Sequence, residues 1–143
     1  MPITLHAIIE RGPVELVEYF LLIRNENVIK KIKAYHKPTS DKTAEHDLSC
    51  TNFELVEMNI DLLAPYITTW PQALVLLIEP KNIPHSASIF LQISDQLCIA
   101  SGVKASRLDW FAERGTIIAL YVITELYMLT DTSENYEETR LVA

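Results

Sequence analysis

Residues 116–129 read TIIALYVITELYML, and only Thr116, Thr124 and Glu125 interrupt the apolar run. A helix built from this segment has little face to give to water, so it must be buried by other helices, by a partner or by a ligand. A membrane span needs about 20 such residues. Glu125 falls inside any window that long, and Glu113 and Arg114 inside those that extend towards the N-terminus, so burial in protein is the expected environment. Ser106 and Asp109 stand at the spacing of a helix-start cap, and the polar turn from Thr130 to Ser133 ends the segment.

The rest of the chain is also helical in pattern. Gly12-Pro13 opens a first helix, because proline is tolerated where its missing N–H costs nothing. Val14, Val17, Leu21, Val28 and Ile32 then recur at near-helical spacing up to about Tyr35. Residues 36–48, HKPTSDKTAEHDL, read as a solvent loop. Thr51 with Glu54 has capping-box spacing, and Phe53, Val56, Ile60 and Leu63 trace an apolar stripe into Pro65. Thr69 with Gln72 repeats the capping signal, and Ala73 to Ile78 is a short apolar turn-and-a-half. Pro80 and Pro84 end it. A helix is expected from about His85 to Ala100, with Ile89, Phe90, Ile93, Leu97 and Cys98 inward and Gly102 as its left-handed cap. Another starts near Tyr136 and runs to Val142. With no alternating run and only three glycines, the expectation is an all-α helical bundle. At 143 residues it fits one domain, 1–143.

The net charge of −7 argues against a nucleic-acid partner, since phosphate contacts need clustered cations. Lys30, Lys31, Lys33 and Lys37 suit the C-terminal dipole of the first helix instead. Half the chain is apolar, which suggests that some apolar surface is reserved for a partner or ligand. Cys50 and Cys98 are too few for a disulfide framework and read as thiols in a reducing compartment. No signal or transit peptide is visible in MPITLHAIIERGP.

No catalytic constellation is found: no Gly-rich phosphate loop, no G-x-S-x-G, no H-E-x-x-H, no C-x-x-C, and no Glu followed by His three residues later. Neither catalytic residues nor a metal or cofactor site is expected, and His6, His36, His46 and His85 read as solvated. Glu125 is either a functional buried acid or a carboxylate tied to a tyrosine hydroxyl or an arginine, or it marks the edge that meets water. Trp110 and Phe111 point about 100° apart on a helix, so at least one is expected in the core. By apolar character, Trp70, Leu74, Ile78, Phe90, Trp110, Phe111, Ile118 and Tyr121 are the candidates for lining a lipid cavity.

Four motifs then occur in order: Tyr66 to Leu74 with Trp70-Pro71 at its centre; Pro80, Asn82, Ile83 and Pro84; Asp109-Trp110-Phe111; and Thr124 to Ser133 with Asp131. Together they resemble the lipid-binding accessory protein family of ubiquinone (coenzyme Q) biosynthesis, over about residues 9–139. The segment Arg11 to Val17 resembles that family's approach to its first ligand-domain helix. The resemblance implies a mitochondrial protein on the matrix side of the inner membrane, with the helical ligand-domain fold of TetR-type regulators and no DNA binding. It implies no catalysis. It implies binding of an isoprenoid or quinone-type lipid, and association with the di-iron hydroxylase that acts on demethoxyubiquinone, to which substrate is presented.

The chain departs from the family pattern in three places. The helix-turn-helix region is absent, and the sequence stops near Leu141, before the final amphipathic helix credited with membrane contact. It is therefore expected to be truncated at both ends, prone to aggregation and without that route to the membrane. Cys98, Ile99 and Ala100 stand where the family carries partner-facing aromatics, which is expected to weaken hydroxylase binding. Two readings compete with the lipid-binding one: a ligand-binding domain of a TetR-type transcription regulator, and a helical interaction module that homodimerises through residues 117–129.

Overall fold

The computed structural model describes residues 9–35, 52–101 and 109–142. Among them six α-helices occur in the order α1 (Pro13–Tyr35), α2 (Asn52–Leu63), α3 (Trp70–Ile78), α4 (Ile83–Ala100), α5 (Asp109–Met128) and α6 (Glu137–Val142). Short 3-10 turns at Ala64–Tyr66 and Glu134–Tyr136 complete them. No strand occurs among the described residues, so the fold class is all-α. The expected loop at 36–48 and the caps at Thr51, Gly102 and Ser106 lie outside the described residues, as does Cys50.

Helix α1 begins at Pro13, directly after Gly12, whose φ of +83° places it in the left-handed region that a side chain would strain. The Arg11 N–H donates to the Glu15 carboxylate at 2.8 Å, which satisfies one backbone donor ahead of the helix. Val14, Leu21, Val28 and Ile32 are buried as the spacing predicts. Glu18, Arg24 and Asn25 are buried on the same helix, so its inner face mixes apolar and charged groups.

Helix α1 packs on α4, α3 and α2, while α5 packs on α4 and α2. The core is one cluster in which Leu21, Leu55, Ile60, Leu63, Leu97 and Met128 are sealed from solvent. Burial of such a side chain contributes about 1.5–3 kcal/mol. Helix α2 and the following 3-10 turn meet α3 at a bend of 108°, which sets Trp70 across α1. No single helix among the described residues is long and apolar enough to cross a membrane.

Several local expectations are corrected. In α2 the inner face is wider than the expected stripe, since Leu55, Met58 and Asn59 join Val56, Ile60 and Leu63. Phe53, in the first turn, is half exposed. Thr69 does not cap α3 with its side chain: its hydroxyl donates to the Tyr66 carbonyl at 3.0 Å. Helix α4 starts at Ile83 rather than His85, because Pro84 occupies its first turn, where no N–H is needed. The last helix starts at Glu137, after Asn135 and Tyr136 take positive φ. Asp131 bridges that break, accepting from Ser133 N–H at 2.8 Å and Thr139 N–H at 2.8 Å.

Helix α5 is only half enclosed. Arg114, Ile117, Tyr121, Glu125 and Met128 face inward at helical spacing, but Val122, Ile123 and Leu126 are exposed. Of the expected means of burial, the other helices cover one side only, and an apolar strip remains on the other.

Candidate functional site

The site grows from the face that α1 turns towards α3. Leu16, Val17 and Phe20 of α1 and Tyr66, Thr69, Trp70 and Ala73 line an open apolar cleft of about 180 Å³. The Phe20 ring meets Tyr66 edge-on at 4.8 Å and lies tilted at 5.7 Å from Trp70. These are favourable aromatic geometries that hold the wall of the cleft together. Leu16 and Tyr66 form its exposed rim, while Trp70 is buried.

Beneath Trp70 lies a charged network. Glu125 Oε2 accepts from Trp70 Nε1–H at 3.1 Å, and Oε1 accepts from Arg24 Nη2–H at 2.6 Å and from Asn59 Nδ2–H at 3.5 Å. Glu125 is 1% exposed and Arg24 4%. A charge so deep is tolerable only when paired and hydrogen-bonded. The Arg24 guanidinium also lies against both cleft rings, 5.2 Å from the Trp70 centroid and 5.9 Å from that of Phe20. Of the open readings for Glu125, the structure therefore selects a carboxylate tied to an arginine, and Trp70 is a second partner. Arg24 Nη1 and Asn59 Oδ1 have no hydrogen-bond partner among the described residues.

The eight lipid-lining candidates do not converge. Trp70 lines the cleft; Leu74 and Phe90 are half-buried against the core, Ile118 is half-buried on α5 and Tyr121 is a core residue. Ile78 is 65% exposed at the end of α3, where Leu77 takes the inward position. Trp110 and Phe111 are both exposed, so the expectation that one is core is corrected. They meet edge-to-face at 4.6 Å, and the Arg114 guanidinium covers Trp110 at 3.9 Å. That cation, ion-paired with Asp95, shields the indole in place of a core.

Of the three partner-facing positions, Ile99 is 70% exposed, Ala100 half-buried and Cys98 buried. Burial pushes the Cys98 thiol above its ordinary pKa, so it stays protonated and unreactive. His85 is exposed, as expected, with Nε2 3.6 Å from Glu18, which Arg11 also engages. Among the described residues no group of three or more His, Cys, Asp or Glu could hold a metal ion.

Sequence reasoning missed Phe20, Arg24 and Asn59. A signal was present: Arg24 and Asn25 interrupt the stripe of α1, and Asn59 stands beside Ile60 on the inner face of α2. Polar residues at inward positions of three helices point to a common partner.

Residues 83–142 match the family described as COQ9. The chain is 34% identical over 140 residues, 96% of its length, to the probable ubiquinone biosynthesis protein coq9, mitochondrial, of Dictyostelium discoideum, covering 45% of that protein. It is 32% identical over 132 residues, 91% of its length, to the ubiquinone biosynthesis protein COQ9, mitochondrial, of Xenopus tropicalis, covering 41% of it. With the human COQ9 protein it shares 36% identity over 86 residues, 60% of the chain and 27% of the relative. The chain thus spans less than half the length of these relatives. Their names place them in the mitochondrion, which supports the mitochondrial location expected above. With the matched family domain in its last three helices and relatedness along nearly its whole length, the chain belongs to the COQ9 family.

Proposed function

We propose that this chain is a non-enzymatic, lipid-binding accessory protein of ubiquinone biosynthesis on the matrix side of the inner membrane. In this reading it holds an isoprenoid or quinone-type lipid and presents substrate to the di-iron hydroxylase acting on demethoxyubiquinone. The observation that carries it is an apolar, aromatic-walled cleft in a chain whose relatives are named for ubiquinone biosynthesis. Each methylene that leaves water for such a surface contributes about 0.8 kcal/mol. At about 180 Å³ the cleft is smaller than the roughly 300–1,000 Å³ of ordinary ligand pockets, so it takes a piece of a tail and leaves the rest of the lipid elsewhere.

Lipid extraction and mass spectrometry of the folded, purified protein test this reading, with co-purified isoprenoid as the expected result. Folded material free of both isoprenoid and phospholipid would overturn it. For the hydroxylase, Ile99 is the member of the former aromatic patch that offers a full surface. An Ile99→Trp or Ala100→Tyr variant should capture more hydroxylase from mitochondria than the native chain does, because aromatic anchors dominate many interfaces. Cys98 is unsuitable for such a change, since a larger side chain there would overpack the core.

The exposed strip of Val122, Ile123 and Leu126 on α5 favours a second reading, a helical module that pairs with another copy of itself. Ile123→Ala or Leu120→Ala should then shift the sedimentation profile towards monomer, and an unchanged profile removes the idea.

A further inference from the structure

The seven residues that line the cleft carry three polar side-chain groups, and two of them are already committed. Trp70 Nε1–H is turned inward to Glu125 Oε2, and the Thr69 hydroxyl donates to the Tyr66 carbonyl. The third, the Tyr66 hydroxyl, sits on a half-exposed ring at the rim. The strongest donor nearby, the Arg24 guanidinium, lies against the Phe20 and Trp70 rings and is itself 4% exposed. What the floor offers to a ligand is therefore aromatic carbon.

From this we infer that Glu125 is the positioning and specificity-determining residue of the cleft: by drawing the Trp70 indole N–H and the Arg24 guanidinium inward, it leaves an aromatic floor that accepts an unfunctionalised hydrocarbon chain and aims no hydrogen-bond donor at a polar head. The inference rests on the proposed reading of the cleft as a lipid site and names the part of the lipid that it takes. Physically, a buried donor aimed at the cleft would select ligands able to satisfy it and reject bare hydrocarbon. For the Trp70 N–H, Glu125 removes that selection by satisfying it from behind. Its reach comes from the helix packing: Arg24 on α1, Asn59 on α2 and Trp70 on α3 all converge on one carboxylate of α5. A shift of that carboxylate moves the whole wall.

The test is a ligand series with one geranyl chain ending in hydrogen, hydroxyl, acetate or a benzoquinone ring. Binding is measured by calorimetry on the full chain and on a Tyr66→Phe variant that lacks the rim hydroxyl. Dissociation constants within about threefold of one another in the variant are expected, and a preference of about tenfold or more for any polar head overturns the inference. Failure of all four ligands to bind overturns the lipid reading itself, which is a different result.

The positioning role has its own readout. Trp110→Phe leaves Trp70 as the sole tryptophan, and its indole N–H resonance reports the bond to the carboxylate. In Glu125→Gln that resonance should move upfield, the hydrogen-terminated chain should weaken by roughly fivefold, and the polar-headed chains, which can satisfy the released N–H, should weaken less. An unchanged resonance with unchanged affinities overturns the role. Trp70→Phe keeps an aromatic wall and the Arg24–Glu125 pair but cuts the tether. With the donor itself gone, it should weaken all four ligands by about the same factor without favouring a polar head, so the question stays answerable by calorimetry even if Glu125→Gln does not fold.

Discussion

Arg24 and Glu125 stand 101 residues apart in the chain and meet with Nη2 2.6 Å from Oε1, neither side chain more than 4% exposed. The pair joins α1 to α5 through the centre of the molecule and shares its acceptor oxygens with Asn59 and Trp70. Such a pair is expensive to desolvate, and its net contribution over an apolar substitute is small. Its loss on one side only is another matter.

Arg24→Met should therefore destabilise the fold by about 3–5 kcal/mol, because Glu125 is left charged and unpaired in the interior. The double variant Arg24→Met with Glu125→Met should recover most of that loss. Urea denaturation of the three proteins measures it, and a double variant no more stable than the single one would show that the pair itself is the stabilising element.

Arg140 provides the contrasting case. It bridges Glu57 and Asp61 from α6 to α2, but all three side chains are partly in water. Arg140→Ala should cost no more than about 1 kcal/mol, as exposed ion pairs do. A thermal midpoint shifted as far as that of Arg24→Met would contradict the assignment.

Asp131 links stability to pH. Burial alone would raise its pKa, but hydrogen bonds from Ser133 and Thr139, side chain and backbone, outweigh that and hold the carboxyl well below the usual carboxylate range. A carboxylate depressed in the folded state stabilises above its unfolded pKa of about 3.9, and the contribution is lost as pH falls towards the folded value. Asp131→Asn should accordingly be less stable than the native chain at pH 7, with a gap that narrows below about pH 4. Denaturant titrations at several pH values check this, and a gap independent of pH would refute it.

The outer strip of α5 should tolerate charge. Ile123 and Leu126 are more than half exposed, so Ile123→Asp and Leu126→Asp should change stability by no more than about 0.5 kcal/mol. The same variants should bind less hydrophobic dye and stay soluble at higher concentration than the native chain. A large loss of stability would show that the strip is covered within the chain.

The helical class was legible because each helix announces itself locally. Pro13 after Gly12, the stripe of Val14, Leu21, Val28 and Ile32, and the motif around Trp70-Pro71 depend on neighbours within a few residues, and helix formation and capping are local events. The family resemblance was legible for the same reason, since short motifs in order survive in the linear chain. The site was not. Apolar character selected Ile78 and Phe111, which face water, and passed over Phe20, whose ring is a wall of the cleft. By itself, then, the sequence determined which segments coil, where they stop and which lineage they belong to. Only the tertiary structure decided that Arg24, Asn59 and Trp70 would share the carboxylate of Glu125, and that α5 would keep one apolar side uncovered. Which faces meet depends on how whole helices pack, and a buried charge finds its partner across space rather than along the chain.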